Sequence, residues 1–350
     1  VPVAKVGKIK GMTMRAVRVH QPGTYSIDDV PMPQCGPRDA LIKVAACGIC
    51  GSDLHFVKWG TLREDGKPMA LGHEATGIVE SFGSEVTTLT PGMRVFISPT
   101  ASDGSTLGAG IHDGAFASHV LIRDAVLGEN LLPIPENLSL SRAALVEPLA
   151  VGLHTVNRGN LGPDTRTAVF GCGPIGLAAV LWLSQRGMSD IVAIDIADER
   201  LAHAERMGAH HTINPRREDL AARLTQIHGA GPTIKGGATA GTDVFYDLAA
   251  GPGVIDQIVS VAKFRSRLVV GAIYFDPVPM NFRDLILREM EITTAGPYTQ
   301  ELHDVLADLP NIPPAKLDAY VTGTFPFGDF DEALAVARQP ASAKVMVTFD

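Results

Sequence analysis

Cys50, His73, Glu74 and Glu147 are the residues of this 350-residue chain whose types and spacing suit metal chemistry. Thiolate, imidazole and carboxylate together suit a borderline-soft divalent cation such as zinc, which needs three protein ligands and an open position to polarise an oxygen. The ligands sit in two short stretches, Gly48-Ile49-Cys50-Gly51-Ser52-Asp53-Leu54-His55 and Gly72-His73-Glu74. On residue type alone Cys50 reads more readily as a buried thiol; the Gly51-Ser52-Asp53 that follows turns the reading toward a metal ligand, and a second site supports it. Asp53 is expected either to accept a hydrogen bond from the second nitrogen of His73 or to cap a helical turn.

The second site follows a short apolar strand, Thr167-Ala168-Val169-Phe170, which runs into Gly171-Cys172-Gly173-Pro174-Ile175-Gly176. A helix over Leu177–Arg186 comes next, then a strand over Ile191–Ile194 that ends on Asp195. Strand, glycine turn, helix, strand and acid, with the acid about 20 residues past the last glycine, is the dinucleotide-binding pattern. Gly171, Gly173 and Gly176, with Pro174 and Ile175 between them, let the backbone approach a pyrophosphate at the helix N-terminus, where free N–H groups and the helix dipole favour anions. Asp195 is expected to accept from the ribose hydroxyls. Its charge repels a 2′-phosphate and no arginine follows before Arg200, so NAD is expected rather than NADP.

With both sites in hand, the chain resembles the zinc-dependent medium-chain alcohol dehydrogenases, and within them the polyol branch of sorbitol and butanediol dehydrogenases. The resemblance spans nearly the whole chain and rests on five motifs in order. These are Gly48 to Asp53, Gly72-His73-Glu74, Gly114-Ala115-Phe116-Ala117, Glu147-Pro148-Leu149-Ala150-Val151-Gly152 and the glycine turn. It implies Cys50 and His73 as zinc ligands with Glu74 or Glu147 as the third. Ethanol-type relatives have cysteine at the position of Glu147, so this chain leans to the polyol branch. Binding both carboxylates at once would leave a negative site and a weaker Lewis acid, so one at a time is expected. The resemblance also implies that Ser52 and His55 relay the substrate proton to solvent, although Ser52 as a helix cap and His55 on a solvated face are plain alternatives. Many relatives hold a structural zinc with four clustered cysteines. The matching region, Ser98 to Gly114, has none, so one catalytic zinc per chain is expected. His112 and Asp113 in that region read as loop residues.

Stepping outward, the elements that must position these groups divide the chain. Val1–Thr13 is basic and aperiodic and reads as an arm. Short strand-like runs between Pro and Gly turns, among them Ala40–Ala45, Thr76–Ser81, Arg94–Ile97 and His119–Ile122, make residues 14–151 a β-rich unit. Residues 152–293 alternate strands with helices, which gives βαβ units and a parallel sheet. A final strand near Lys344–Phe349 returns residues 294–350 to the first unit, as in the resembling family. The fold class is therefore α/β: a Rossmann doubly wound parallel-sheet domain plus a β-rich, GroES-like catalytic domain in two pieces. Phe56, Trp59 and Tyr298 are candidates for the substrate pocket, with packing as the plain alternative. His154 reads as a packed helix residue, His210-His211 as a turn, and Asp243 and Asp247 as acids flanking a strand.

The net charge of −8, with no basic block, argues against nucleic acid or an anionic membrane as the partner and leaves a small molecule. No apolar run spans a bilayer and no signal-like stretch opens the chain, so a cytoplasmic protein is expected. Four cysteines do not make a secreted disulfide framework. Assembly as a homodimer or homotetramer is implied by the family alone. Two other readings compete: a zinc-free, NADPH-linked quinone or enone reductase on the same scaffold, and a non-catalytic dinucleotide-binding protein. Cys50, His73, Glu147 and Asp195 all speak against the reductase, and the retained ligands and Ser52 against the non-catalytic protein.

Overall fold

A computed structural model describes residues 11–100, 106–109, 113–233, 239–298 and 300–350. The reading of His112 as a loop residue and most of the N-terminal arm lie outside these residues. Strands β1 (Thr13–Val19), β2 (Tyr25–Pro31) and β3 (Ala40–Ile49) lead into helix α1 (Gly51–Trp59). Next come β4 (Met69–Ala70), β5 (Glu74–Phe82), β6 (Arg94–Ile97), β7 (His119–Ile122) and β8 (Leu131–Pro133). Helices α2 (Leu140–Ala143) and α3 (Val146–Asn157) then precede β9 (Thr167–Phe170), α4 (Pro174–Gln185), β10 (Ile191–Ile194), α5 (Asp198–Met207) and β11 (His211–Ile213). They are followed by α6 (Leu220–His228), β12 (Val244–Asp247), α7 (Val254–Val261), β13 (Arg267–Val270), α8 (Phe282–Arg288) and β14 (Glu291–Thr294). The chain closes with α9 (Glu301–Asp308), α10 (Pro314–Tyr320), β15 (Val321–Pro326), α11 (Phe330–Ala337) and β16 (Lys344–Thr348).

Two sheet systems result. One runs β15-β16-β3-β5-β6-β8 with β7 also on β3, beside a smaller sheet β2-β1-β4. β3 is its hub, paired antiparallel with β5, β7 and β16. Pairing with β16 at its far end carries β3 on to Ile49, past the run expected from sequence. The other sheet runs β11-β10-β9-β12-β13-β14, every pair parallel. That order is the doubly wound one, and the chain reverses direction between β9 and β12, where a crevice opens beyond the strand C-termini. Strands β9, β10 and β12 are buried throughout, as a sheet covered by helices on both faces requires.

The core follows this division. One apolar cluster fills the first sheet system around Ile42, Val44, Leu71, Val95 and Phe330. Two others cover opposite faces of the parallel sheet, one under α3 and α4 around Leu149, Leu177 and Leu181, the other under α7 around Phe245 and Ile258. α4 begins at Pro174 rather than Leu177, since Gly173 caps it and proline suits the first turn. Among the described residues no helix is long and apolar enough to cross a membrane, and the four cysteines are free thiols.

Candidate metal centre and dinucleotide cradle

The first site forms where β3, α1 and β5 meet. Cys50 follows β3 directly and caps α1 in an extended conformation, and its N–H donates to Asp53 Oδ2 at 2.8 Å. Gly72 takes a left-handed φ of 93°, in which a side chain would also strike Phe116, and this turn delivers His73 and Glu74. Glu74 opens β5 opposite Gly48, where a Cβ would collide with the Glu74 carboxylate. As a result Cys50 Sγ, a ring nitrogen of His73 and a carboxylate oxygen of Glu74 all lie within 4.8 Å of one another.

Charge in this cluster is arranged for a cation. Burial by itself would lower the pKa of His73, but the charges of Cys50, Asp53 and Glu147 raise it well above the usual imidazole value. His73 Nδ1 is buried without a hydrogen-bond partner. Asp53 Oδ1 stands 3.9 Å from it, beyond hydrogen-bond reach, and Asp53 instead receives backbone N–H groups of Cys50 and Gly72. A pocket that favours the protonated form of a buried imidazole, with a thiol and a carboxylate grouped beside the ring, fits a divalent metal. Glu147 enters from the first turn of α3, and burial pushes its carboxyl up to about 7, with Glu74 adding to the rise and His73 opposing it. The Tyr298 hydroxyl donates to this carboxylate.

Lys344, which has no counterpart in the sequence-level reading, completes the centre. It opens β16, is 1% exposed, and donates from Nζ to Glu74 Oε1 at 2.6 Å, Glu74 Oε2 at 2.7 Å and the Ile49 carbonyl at 3.1 Å. A lone lysine in a terminal strand carries no local signal of such a role. The remaining candidates lie on α1. Ser52 is half-buried in its first turn. His55 uses Nδ1 toward the Gly51 carbonyl at 2.8 Å. Phe56 and Trp59 pack edge to face with ring centroids 6.3 Å apart.

The second site is made of backbone. Gly171 has φ 92° at the end of β9, and a Cβ there would strike the backbone of Leu248 and Ala249. A Cβ on Gly176 would collide with the Gly171 carbonyl, whereas Gly173, the N-cap of α4, faces open space. The requirement for glycine is thus internal at two positions and leaves room for a ligand at the third, as a pyrophosphate cradle demands. Asp195, buried at the end of β10, accepts the Cys172 N–H at 2.7 Å and the Ala197 N–H at 2.9 Å. Each oxygen keeps a free lone pair for a further donor. Arg200 Nη1 is 3.9 Å from Asp195, and its Nε donates to the Pro340 carbonyl at 2.6 Å.

Comparison with known proteins gives the family. Residues 36–136 match the alcohol dehydrogenase GroES-like domain and residues 174–309 the zinc-binding dehydrogenase family. Sorbitol dehydrogenase of Bacillus subtilis is 31% identical over 298 residues, covering 80% of this chain and 81% of the relative. The crystal structure of 2R,3R-butanediol dehydrogenase from Bacillus subtilis superposes with a TM-score of 0.84 at 28% identity, over 96% of this chain and 99% of that one. A zinc-binding dehydrogenase from Sinorhizobium meliloti, bound to NADP, gives 0.79 at 27% identity, over 96% and 99%. The chain belongs to the zinc-dependent medium-chain alcohol and polyol dehydrogenase family, with its GroES-like and Rossmann-like parts. It is an oxidoreductase of the NAD(P)-linked type.

Proposed function

We propose that the protein moves hydride between NAD and a secondary alcohol, vicinal diol or polyol at a single zinc per chain. The observation that carries this reading is the cluster of half-buried Cys50 with buried His73 and Glu74, whose environment favours added positive charge. It lies in a chain that also builds the Rossmann crevice. Sorbitol and butanediol dehydrogenases among the relatives support the substrate class. When bound, zinc supplies the Lewis acidity that lowers an alcohol's pKa, and NAD accepts the hydride.

Cys50 and His73 would hold the ion, with Glu74 and Glu147 as the candidate carboxylates for it. Lys344 removes the charge objection to that arrangement: thiolate and two carboxylates, set against one ammonium and a divalent ion, sum to neutrality. Glu74 is the carboxylate within the cluster but is paired with Lys344, while Glu147 has no ion-pair partner among the described residues. Asp53 fixes the turn that presents Cys50. Gly171, Gly173, Pro174, Ile175 and Gly176 cradle the pyrophosphate, and Asp195, with Arg200 beside it, holds the ribose and disfavours a 2′-phosphate. Ser52 and His55 carry the proton outward. His55 Nδ1 faces a carbonyl, which only accepts, so Nδ1 bears the proton and Nε2 of the neutral ring is the acceptor. Tyr298, on Glu147, and Phe56 border the substrate space.

The division into residues 14–151 with 294–350 and residues 152–293 is also proposed, supported by the pairing of β16 with β3. Pairing of two copies along β14 is supported by its unpaired edge and the exposed Ile273, Phe282, Ile286 and Ile292 nearby. The test is one series on purified protein: zinc content, sedimentation mass, and NADH formation from ethanol, 2,3-butanediol and sorbitol with NAD or NADP, before and after chelation. Chelator-sensitive, NAD-preferring turnover of a diol or polyol by a homo-oligomer is expected. Turnover that survives loss of zinc would sink the metal reading.

A further inference from the structure

The turn after β13 reaches across to α1, and the way it is anchored gives it a job. Asp247, the last residue of β12, is fully buried. Its carbonyl receives the N–H groups of both Gly271 and Ala272 at 3.0 Å. Its carboxylate receives the Tyr274 hydroxyl at 2.6 Å and the Ala249 N–H at 3.1 Å. One residue therefore fastens both the start and the middle of the turn. Held this way, the turn delivers Phe275 onto α1, where its ring centroid lies 4.8 Å from that of His55 and 4.8 Å from that of Trp59. His55 and Trp59 are themselves 5.4 Å apart, so the three rings form one mutual cluster in which the imidazole touches a ring from each sheet system.

An apolar ring that is 55% exposed when the chain offers buried sites costs solvation, and such exposure is informative when the ring has a definite partner. Here the partner is the residue at the outer end of the proton path. With Nδ1 tied to the Gly51 carbonyl and the ring in contact with both Trp59 and Phe275, the imidazole is held by three neighbours, and Nε2 is the nitrogen that this hydrogen bond leaves for exchange. We propose that Phe275 is a positioning residue for His55, that the Asp247–Tyr274 hydrogen bond sets the place of Phe275, and that proton release thereby depends on contact between the two halves of the molecule. The proposal rests on the relay role of His55 given above.

Two readouts test it. The first needs neither substrate nor metal. Trp182 is buried, so loss of the edge-on ring from half-exposed Trp59 dominates any change in indole emission. Phe275→Ala should shift emission to the red, and Tyr274→Phe should do so to a lesser degree. Unchanged emission in Phe275→Ala overturns the contact. The second is a double-mutant cycle on turnover of 2,3-butanediol or sorbitol with NAD. His55→Ala should lower kcat on the order of a hundredfold and Phe275→Ala about tenfold, with KM for the alcohol little changed, as loss of a proton-transfer group predicts. The double variant should match His55→Ala alone, and Phe275→Leu should recover most of the loss. Full turnover in His55→Ala overturns the relay and the proposal with it. A Phe275→Ala loss that adds in full to that of His55→Ala, or that falls on KM, overturns the positioning role and leaves the relay standing.

Discussion

His73 and His228 are both buried, and each leaves one ring nitrogen without a partner, yet their basicities move in opposite directions. At His228, the last residue of α6, burial dominates and pushes the pKa down to about 4, with Thr242 the hydrogen-bond partner of Nδ1. At His73 burial acts the same way but is outweighed by the charges of Cys50, Asp53 and Glu147. Burial alone therefore says little about a histidine. What sets His73 apart as the candidate ligand is that its surroundings would stabilise a cation in its place, whereas those of His228 reject one.

Three changes sharpen or break that contrast. The largest effect is expected from Lys344→Met, which leaves the buried Glu74 carboxylate without its ammonium. Metal-free protein should lose about 3–5 kcal/mol of stability in denaturant unfolding. The zinc-loaded form should lose less, since the ion then faces the bare carboxylate. Equal losses in the two forms would show that Glu74 does not sense the metal position.

The next effect tests His228 through pH. Its folded pKa lies below the unfolded value of about 6.5, so the unfolded chain binds the extra proton first, and stability falls as pH drops from about 6.5 to about 4. The full fall amounts to at most about 3 kcal/mol. His228→Gln should flatten that slope relative to the parent between pH 7 and pH 4.5, and parallel slopes would mean that His228 is not the neutral, desolvated group described. The smallest effect is expected at the cradle, where Asp195→Ala should weaken NAD about tenfold, or about 1.4 kcal/mol, and narrow the gap to NADP. Titration of both nucleotides reads this directly, and an unmoved preference would assign the selection elsewhere.

How far each site could be read from sequence follows from how it is built. The cradle is local: Gly171 to Gly176 and Asp195 lie within one strand-helix-strand unit, and each glycine answers to a contact inside it. Cys50, His73 and Glu74 were legible because two tight turns carry them. Lys344 was not, because its partner is 270 positions away and only the return of β16 to β3 brings them together. Asp53 had two readings, and its carboxylate accepts the N–H of Cys50, the residue that caps α1, while standing 3.9 Å from His73. Tyr298 was a candidate for the substrate pocket with packing as the alternative, and its hydrogen bond to Glu147 had no signal in the sequence. Phe275 and Tyr274 gave no signal at all, since an aromatic pair in a turn reads as packing until its partners are known.

Helix α3 carries Glu147 in its first turn, and in its last turns His154 and Asn157 both bond Glu301 Oε1 at 2.9 Å. Glu301 opens α9 just after Tyr298, which reaches back to Glu147. Tyr298 at its first turn and Glu301 at its last turns thus tie α3 near both ends, so a shift of the helix that carries Glu147 must either carry both contacts along or break one of them.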